Sequence, residues 1–207
     1  MDLNHQFTVA VPVEDAWRIL TDVERIAPCL PGAQLQEIEG DTYRGVVKVK
    51  VGPIQAQFKG QASFIERDDS AHKVVLKGEG RDTTGKGNAA AVITAEMTAV
   101  DASNTSVTVN TDLSVTGKVA QFGRGAMADI SDKLLAQFVV NLNALIAEQP
   151  ATATTAPAPE PTEGVRTIES ADVAPLDLLS AAGSPILKRA IPVAVVVVAV
   201  LVWLVVR

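Results

Sequence analysis

The chain has 207 residues, 18 Lys+Arg against 24 Asp+Glu for a formal net charge of −6, and one cysteine, Cys29. That length holds one domain with appendages. A mildly acidic surface argues against nucleic acid as a partner, because phosphate contacts need a basic face. A lone cysteine excludes an intrachain disulfide, and the two histidines, His5 and His72, are too few and too far apart for a Cys/His metal cluster.

In chain order, Gln6 to Val9 alternates polar and apolar residues, the period of a first strand. Pro12 opens a helix, VEDAWRIL, with Glu14 and Asp15 in its first turn, where the helix dipole favours acids. Asp22 caps a second short helix, VERIA, which Pro28 ends, and Pro31-Gly32 is a turn. From Gln34 onward, strands alternate with turns at Gly40-Asp41, Gly52-Pro53, Asp68 to Ser70, Thr84-Gly85 and Asp101 to Asn104. Tyr43, Val47, Val49 and Val51 share one strand face, with Arg44, Lys48 and Lys50 opposite. Ile54, Ala56, Phe58, Ala62 and Phe64 repeat the pattern against Gln55, Gln57, Lys59 and Gln61. Val107, Val109, Thr111, Leu113 and Val115 repeat it again. The result is an antiparallel sheet with one wet face and one apolar face. From about Gly125 to Glu148, Met127, Ile130, Leu134, Phe138, Leu142 and Leu145 recur at spacings of three and four, an amphipathic helix that covers the apolar face. The predicted fold class is α+β: a helix-grip fold, in which a curved antiparallel sheet wraps around a long C-terminal helix. A disordered linker and a C-terminal membrane helix complete the chain.

Residues 149–185 form the linker, rich in Pro, Ala, Thr and Glu, with one arginine and five acids. Its short apolar island, Val173 to Leu179, is read as solvated chain, with a docking motif as the alternative. Residues 186–207 contain AIPVAVVVVAVLVWLVV at Ala190 to Val206, free of charge and preceded by Lys188 and Arg189. Such a run is about 25 Å long as a helix, at the short end for a bilayer core of about 30 Å. The basic flank keeps the preceding chain on the cytoplasmic side, so the expectation is a cytoplasmic domain, residues 1–148, held to the cell membrane by a single-pass tail anchor. Burial of the tail in a partner's groove is the alternative.

Four stretches carry a resemblance. CLPGAQ at Cys29–Gln34, VKVKVGPIQAQFKG at Val47–Gly60, LKGEGRDTTGKGNAAA at Leu76–Ala91 and GKVAQFGRG at Gly117–Gly125 resemble the CoxG family of carbon monoxide dehydrogenase proteins, within the START/Bet v 1-like superfamily of helix-grip domains. The resemblance covers Met1 to about Ile146. Where that family often has a cysteine after the Pro-Gly turn, this chain has Ala33, so Cys29 is assigned no role. The resemblance implies an accessory protein that recruits a molybdenum carbon monoxide dehydrogenase to the cytoplasmic membrane, and it implies an internal cavity.

Enzymatic machinery is hard to find. No Ser–His–acid grouping can be assembled, and Gly85-Lys86-Gly87 lacks the full phosphate-loop spacing. No catalytic residue, metal ligand or covalent cofactor is assigned. Small residues on the covered face, among them Gly45, Gly60, Ala62, Gly78, Gly80, Ala89 and Ala91, leave room beneath the helix. The alternative is a solid core of packed Phe and Met side chains. The expected lining of a cavity is Trp17, Val47, Val49, Phe58, Phe64, Leu76, Met97, Phe122, Met127, Leu134 and Phe138. It holds no charge, so the ligand is lipophilic. With a membrane anchor and a dehydrogenase partner, a respiratory quinone is the expected ligand; the alternatives are a pure membrane-recruitment adaptor without ligand, a lipid-binding or transfer protein unrelated to a dehydrogenase, and a cyclase or hydrolase acting on an apolar substrate. The glycine-flanked segment Gly117 to Gly125 is read as a gate around Phe122, with a helix lead-in as the alternative, and Lys118 and Arg124 as contacts to the partner enzyme.

Overall fold

The computed structural model describes residues 1–51, 54–85, 87–148, 166–168 and 176–177. The expected Gly52-Pro53 turn and the apolar run Ala190 to Val206 lie outside the described residues. The first strand, β1 (Asp2–Val9), leads into α1 (Val13–Leu20) and α2 (Val23–Ile26), then a 3₁₀ turn at Ala27–Cys29. As the sequence indicates, the Asp22 carboxylate accepts a hydrogen bond from the Arg25 N–H at 3.1 Å, satisfying one of the helix's unpaired donors. Six strands follow: β2 (Ala33–Glu39), β3 (Thr42–Val51), β4 (Ile54–Asp68), β5 (Lys73–Asp82), β6 (Asn88–Asp101) and β7 (Asn104–Val115). A second 3₁₀ turn, Val119–Phe122, precedes α3 (Gly123–Ala147). Two short strands, β8 (Arg166–Thr167) and β9 (Leu176–Asp177), come from the stretch read as linker.

The strands form one sheet in the order β1-β7-β6-β5-β4-β3-β2-β8, with β9 beside β3. All pairings are antiparallel except that of β9 with β3. Bulges interrupt the register at Leu35/Glu37, Phe64/Glu66 and Ala99/Asp101; such bulges bend a strand and raise its twist. This is the helix-grip architecture.

The packed core occupies one end of the sheet. Val9, Ala16, Trp17, Ile19, Cys29, Val74, Met97, Val107 and Leu142 are buried together, and Leu142 is fully buried. Phe7, Phe64, Leu76, Val109, Phe138, Leu145 and Ile146 pack against them. The core therefore lies where α1, α2 and the C-terminal half of α3 converge, beside the turns at Gly40-Asp41, Asp68 to His72 and Asp101 to Asn104; this is the closed end. The opposite end carries Met1, the β5–β6 turn, Val115 and the start of α3.

Polar groups inside the closed end are satisfied. Thr105, fully buried, donates from Oγ1 to the Val11 carbonyl at 2.8 Å, and Thr21 Oγ1 donates to the Trp17 carbonyl at 2.7 Å. Asn141 on α3 donates to the Cys29 carbonyl at 2.9 Å, tying the helix to the Ala27–Cys29 turn. Burial pushes the Cys29 thiol up from its ordinary range.

Candidate functional site: an apolar recess beneath the long helix

The pairing register shows what the inner face of the sheet is made of. One row across the strands reads Gly45, Gly60, Gly80, Ala89 and Val115; the next reads Tyr43, Ala62, Gly78, Ala91 and Leu113. The row after that is large: Phe64, Leu76, Ile93, Thr111 and Leu3. The small residues on β4, β5 and β6 thus line up side by side, a coincidence that strand alternation alone does not fix. Two of the glycines are there because the backbones crowd. A Cβ on Gly60 would sit 2.0 Å from the Glu79 carbonyl oxygen, and one on Gly45 would sit 2.3 Å from that of Gln34. Gly78 differs: a Cβ there would meet nothing within 4 Å. It shares a face with Leu76 and Gly80, so open space begins directly above the inner surface of β5.

The long helix spans this space more than it fills it. α3 rests chiefly on β1 at one side and on the Ala27–Cys29 turn at the other, with the central strands between. Phe138 meets Phe7 edge-on at 6.3 Å between ring centroids, and Asn141 holds the far side. Met127 is buried, while Leu134 and Phe138 are half-buried. Facing them, Val47, Val49, Phe58, Leu113 and Val115 are also only half-buried, although all lie on the inner face. Apolar side chains on the covered face of a filled core lose nearly all their exposure; here they line a recess.

The structure divides the expected lining residues into two groups. Val47, Val49, Phe58, Met127 and Leu134 stand around the open half of the recess, outside the packed core. Trp17 and Met97 are buried in that core, and Phe64, Leu76 and Phe138 pack against it, so they form the floor at the closed end. Trp17 has a structural role that the sequence did not signal. Its indole N–H donates to Asp69 at 2.7 Å, the Arg67 guanidinium lies over its ring at 5.5 Å, and His72 meets it edge-on at 5.7 Å. The indole and Arg67 together hold the Asp69 carboxyl below the usual range. His72 packs as well: its backbone is left-handed (φ 48°) and its Nε2 lies 3.2 Å from Glu14.

Phe122 falls in the second 3₁₀ turn, and its side chain lies outside the described residues. Lys118 and Arg124 are both exposed on either side of it, and Gly117 and Gly123 take φ of 83° and 76°, angles that favour glycine. The segment therefore sits at the open end, above the start of α3, where a gate would have to be.

Two polar groups lie on the inner face. His5 is half-buried between β1 and α3, with Nε2 3.0 Å from Asp132 and 3.4 Å from Ser131 Oγ. Both contacts use one ring nitrogen, which is not the two-nitrogen relay of a Ser–His–acid triad. Asp82, paired with Phe58, is buried, but its carboxylate accepts from the Thr84 N–H at 2.9 Å and from the Thr84 hydroxyl, closing the β5–β6 turn. Among the described residues, no group of three or more His, Cys, Asp or Glu is placed to hold a metal ion.

An antiparallel sheet gripping one long helix over an apolar recess defines the class by its fold: a helix-grip domain. The solved structures agree. A conserved protein from Geobacillus kaustophilus superposes with a TM-score of 0.65 at 20% identity, covering 72% of this chain and 96% of that one. Truncated norcoclaurine synthase from Thalictrum flavum gives 0.52 at 15%, covering 72% and 95%, and Ara h 8.0201 gives 0.51 at 12%, covering 72% and 99%. At these identities the likeness is one of fold. No curated protein sequence matches the chain significantly. The chain belongs to the carbon monoxide dehydrogenase CoxG family, whose profile matches residues 6–147.

Proposed function

We propose that this protein is a membrane-anchored accessory of a molybdenum carbon monoxide dehydrogenase. In this reading it holds a respiratory quinone in the recess beneath α3 and carries it between bilayer and enzyme. The observation that carries the reading is the open space above Gly78, on a sheet face where Val47, Val49 and Phe58 stay half-buried beneath the long helix. An interior of that chemistry selects a lipophile and takes it out of water at about 25 cal/mol per Å² of apolar surface. Family membership supports the partner. The uncharged run Ala190 to Val206 behind Lys188 and Arg189 supports the anchor. A dehydrogenase in the cytoplasm must pass its electrons to an acceptor dissolved in the bilayer, and a tethered apolar container bridges the two phases. The role is non-catalytic, in keeping with a His5 that spends one ring nitrogen on both Ser131 and Asp132.

Among the described residues, α3 alone is long and apolar enough to cross a membrane, and it is the helix that spans the recess; the anchor is assigned to the C-terminal run. The test is reconstitution. Quinone-loaded vesicles, the dehydrogenase and carbon monoxide should give quinol at a rate that rises with added full-length protein. Removing Ala190–Arg207 should move the protein to the supernatant and abolish that gain. A rate independent of the protein, or a truncated chain that still pellets with the vesicles, contradicts the proposal.

A further inference from the structure

The chain beyond α3 returns to the sheet. β8 pairs antiparallel with β2, with Arg166 opposite Ile38 and Thr167 opposite Glu37, and the Ile168 N–H donates to the Gln36 carbonyl at 2.7 Å. Arg166 also forms an ion pair with Glu24 on α2. β9 then pairs parallel with β3, Leu176 opposite Val49 and Asp177 opposite Lys50, at the level of the inner row where β2 no longer lies alongside. An edge strand offers a line of unpaired N–H and C=O groups that any extended segment can take up. Here the chain's own C-terminal part takes them.

The direction matters. α3 runs from the open end to the closed end, so Glu148 leaves the domain beside the packed core. β8 lies near the closed end of β2, and β9 lies near the open end of β3. The chain is thus carried back along the sheet edge to the mouth of the recess. We propose that residues 166–168 and 176–177 are an intramolecular strap that launches the tether from the open end and so points the recess at the bilayer. This inference rests on the membrane reading above. From Glu148, a flexible tether to Ala190 would have an r.m.s. span of about 35 Å and would leave from the wrong end; from Asp177 about a dozen residues remain, spanning about 19 Å. The strap both shortens the tether and orients it. Release of the strap lets the domain turn away from the lipid, toward a soluble partner.

The experiment uses the full-length chain on vesicles carrying a headgroup-linked fluorescence acceptor. Donor dyes are placed singly at Ser114→Cys, near the open end of β7, and at Ser103→Cys, in the closed-end turn; the two sites are about 36 Å apart along the strand. The expected result is at least a twofold higher transfer efficiency from the Ser114 site. Ile168→Pro, which removes the donor to Gln36, and Glu24→Arg, which repels Arg166, should each at least halve that difference. Equal efficiencies from the two sites in the unmodified chain overturn the proposal. So does a difference unmoved by both variants. Amide exchange of the full chain in solution reads the strap without the membrane. The Ile168 N–H should exchange about two- to fivefold slower than in Glu24→Arg, which replaces the exposed Arg166–Glu24 ion pair with a like-charge pair. Exchange at the same rate in both removes the strap, whereas slowed exchange in a chain that ignores vesicles removes the anchor instead. A concentration-dependent dimer in the Ile168→Pro variant would reassign the edge to a second copy.

Discussion

Filling the recess from the sheet side separates open space from packed core. Gly78→Leu adds a side chain where the structure leaves at least 4 Å clear, on extended backbone, between half-buried Ala62 and Ala91. Complete burial of a leucine is worth about 1.5–3 kcal/mol. Neighbours that are themselves half-buried reduce this to about 1 kcal/mol, and replacing a strand glycine adds about 0.5 kcal/mol through the unfolded chain. The variant should therefore be at least as stable as the parent in urea unfolding and should carry no lipophile after purification. Gly60→Ala is the matched control. Its single methyl would lie 2.0 Å from the Glu79 carbonyl oxygen, so backbone must move, and the expected loss is about 2–3 kcal/mol. If Gly78→Leu instead loses about 1–3 kcal/mol, the cost typical of overpacking, the space above β5 is occupied by side chains and the recess does not exist. A stable Gly78→Leu variant with undiminished ligand places the ligand elsewhere.

Three further outcomes follow from other parts of the molecule. Leu142→Ala, at a fully buried position where α3 meets the core, should cost about 2–5 kcal/mol in urea unfolding, while leaving the open half of the recess in place. The depressed Asp69 carboxyl stabilises the fold above its unfolded value of about 3.9, and this contribution is lost as pH falls through its lower folded value; Asp69→Asn should therefore flatten part of the fall in melting temperature between about pH 5 and pH 3, and parallel pH profiles would exclude the Trp17–Asp69–Arg67 cluster as an acid-sensitive tie. Lys118→Glu with Arg124→Glu, both exposed beside the open end, should weaken binding to carbon monoxide dehydrogenase at low salt and converge with the parent at high salt, measured by pull-down at two ionic strengths.

Much of the fold was legible because local rules and the global fold agree. The Asp22 cap, the alternation of β3, β4 and β7, and the turns at Gly40-Asp41 and Thr84-Gly85 all stand where the residue pattern puts them. The site was legible only in part, because alternation says which face a residue takes but not which residues stand opposite. Alignment of Gly60, Gly80 and Ala89 in one row, and of Ala62, Gly78 and Ala91 in the next, is a property of register. So is the split that sends Trp17 and Met97 into the core and leaves Val47 and Phe58 at the recess. The long helix reads as amphipathic from Met127 to Leu145, yet its outer side is also weakly polar, with Ala136, Val140 and Ala144 exposed. The polar partner of His5 lies 127 residues away on α3, beyond any local signal. The returning strands β8 and β9 had no signal beyond the short apolar island Val173 to Leu179, since a two-residue strand on an existing edge needs backbone alone.

The central claim is that the domain holds a quinone, and the most direct measurement is the identity of what it carries. Full-length protein purified from its membrane in mild detergent, extracted with organic solvent and analysed by mass spectrometry, should yield a respiratory quinone at close to one per chain. The quinone should be absent from an extract of Gly78→Leu prepared in parallel. An extract that holds no quinone, or one in which the parent and Gly78→Leu carry the same lipophile in the same amount, contradicts the account.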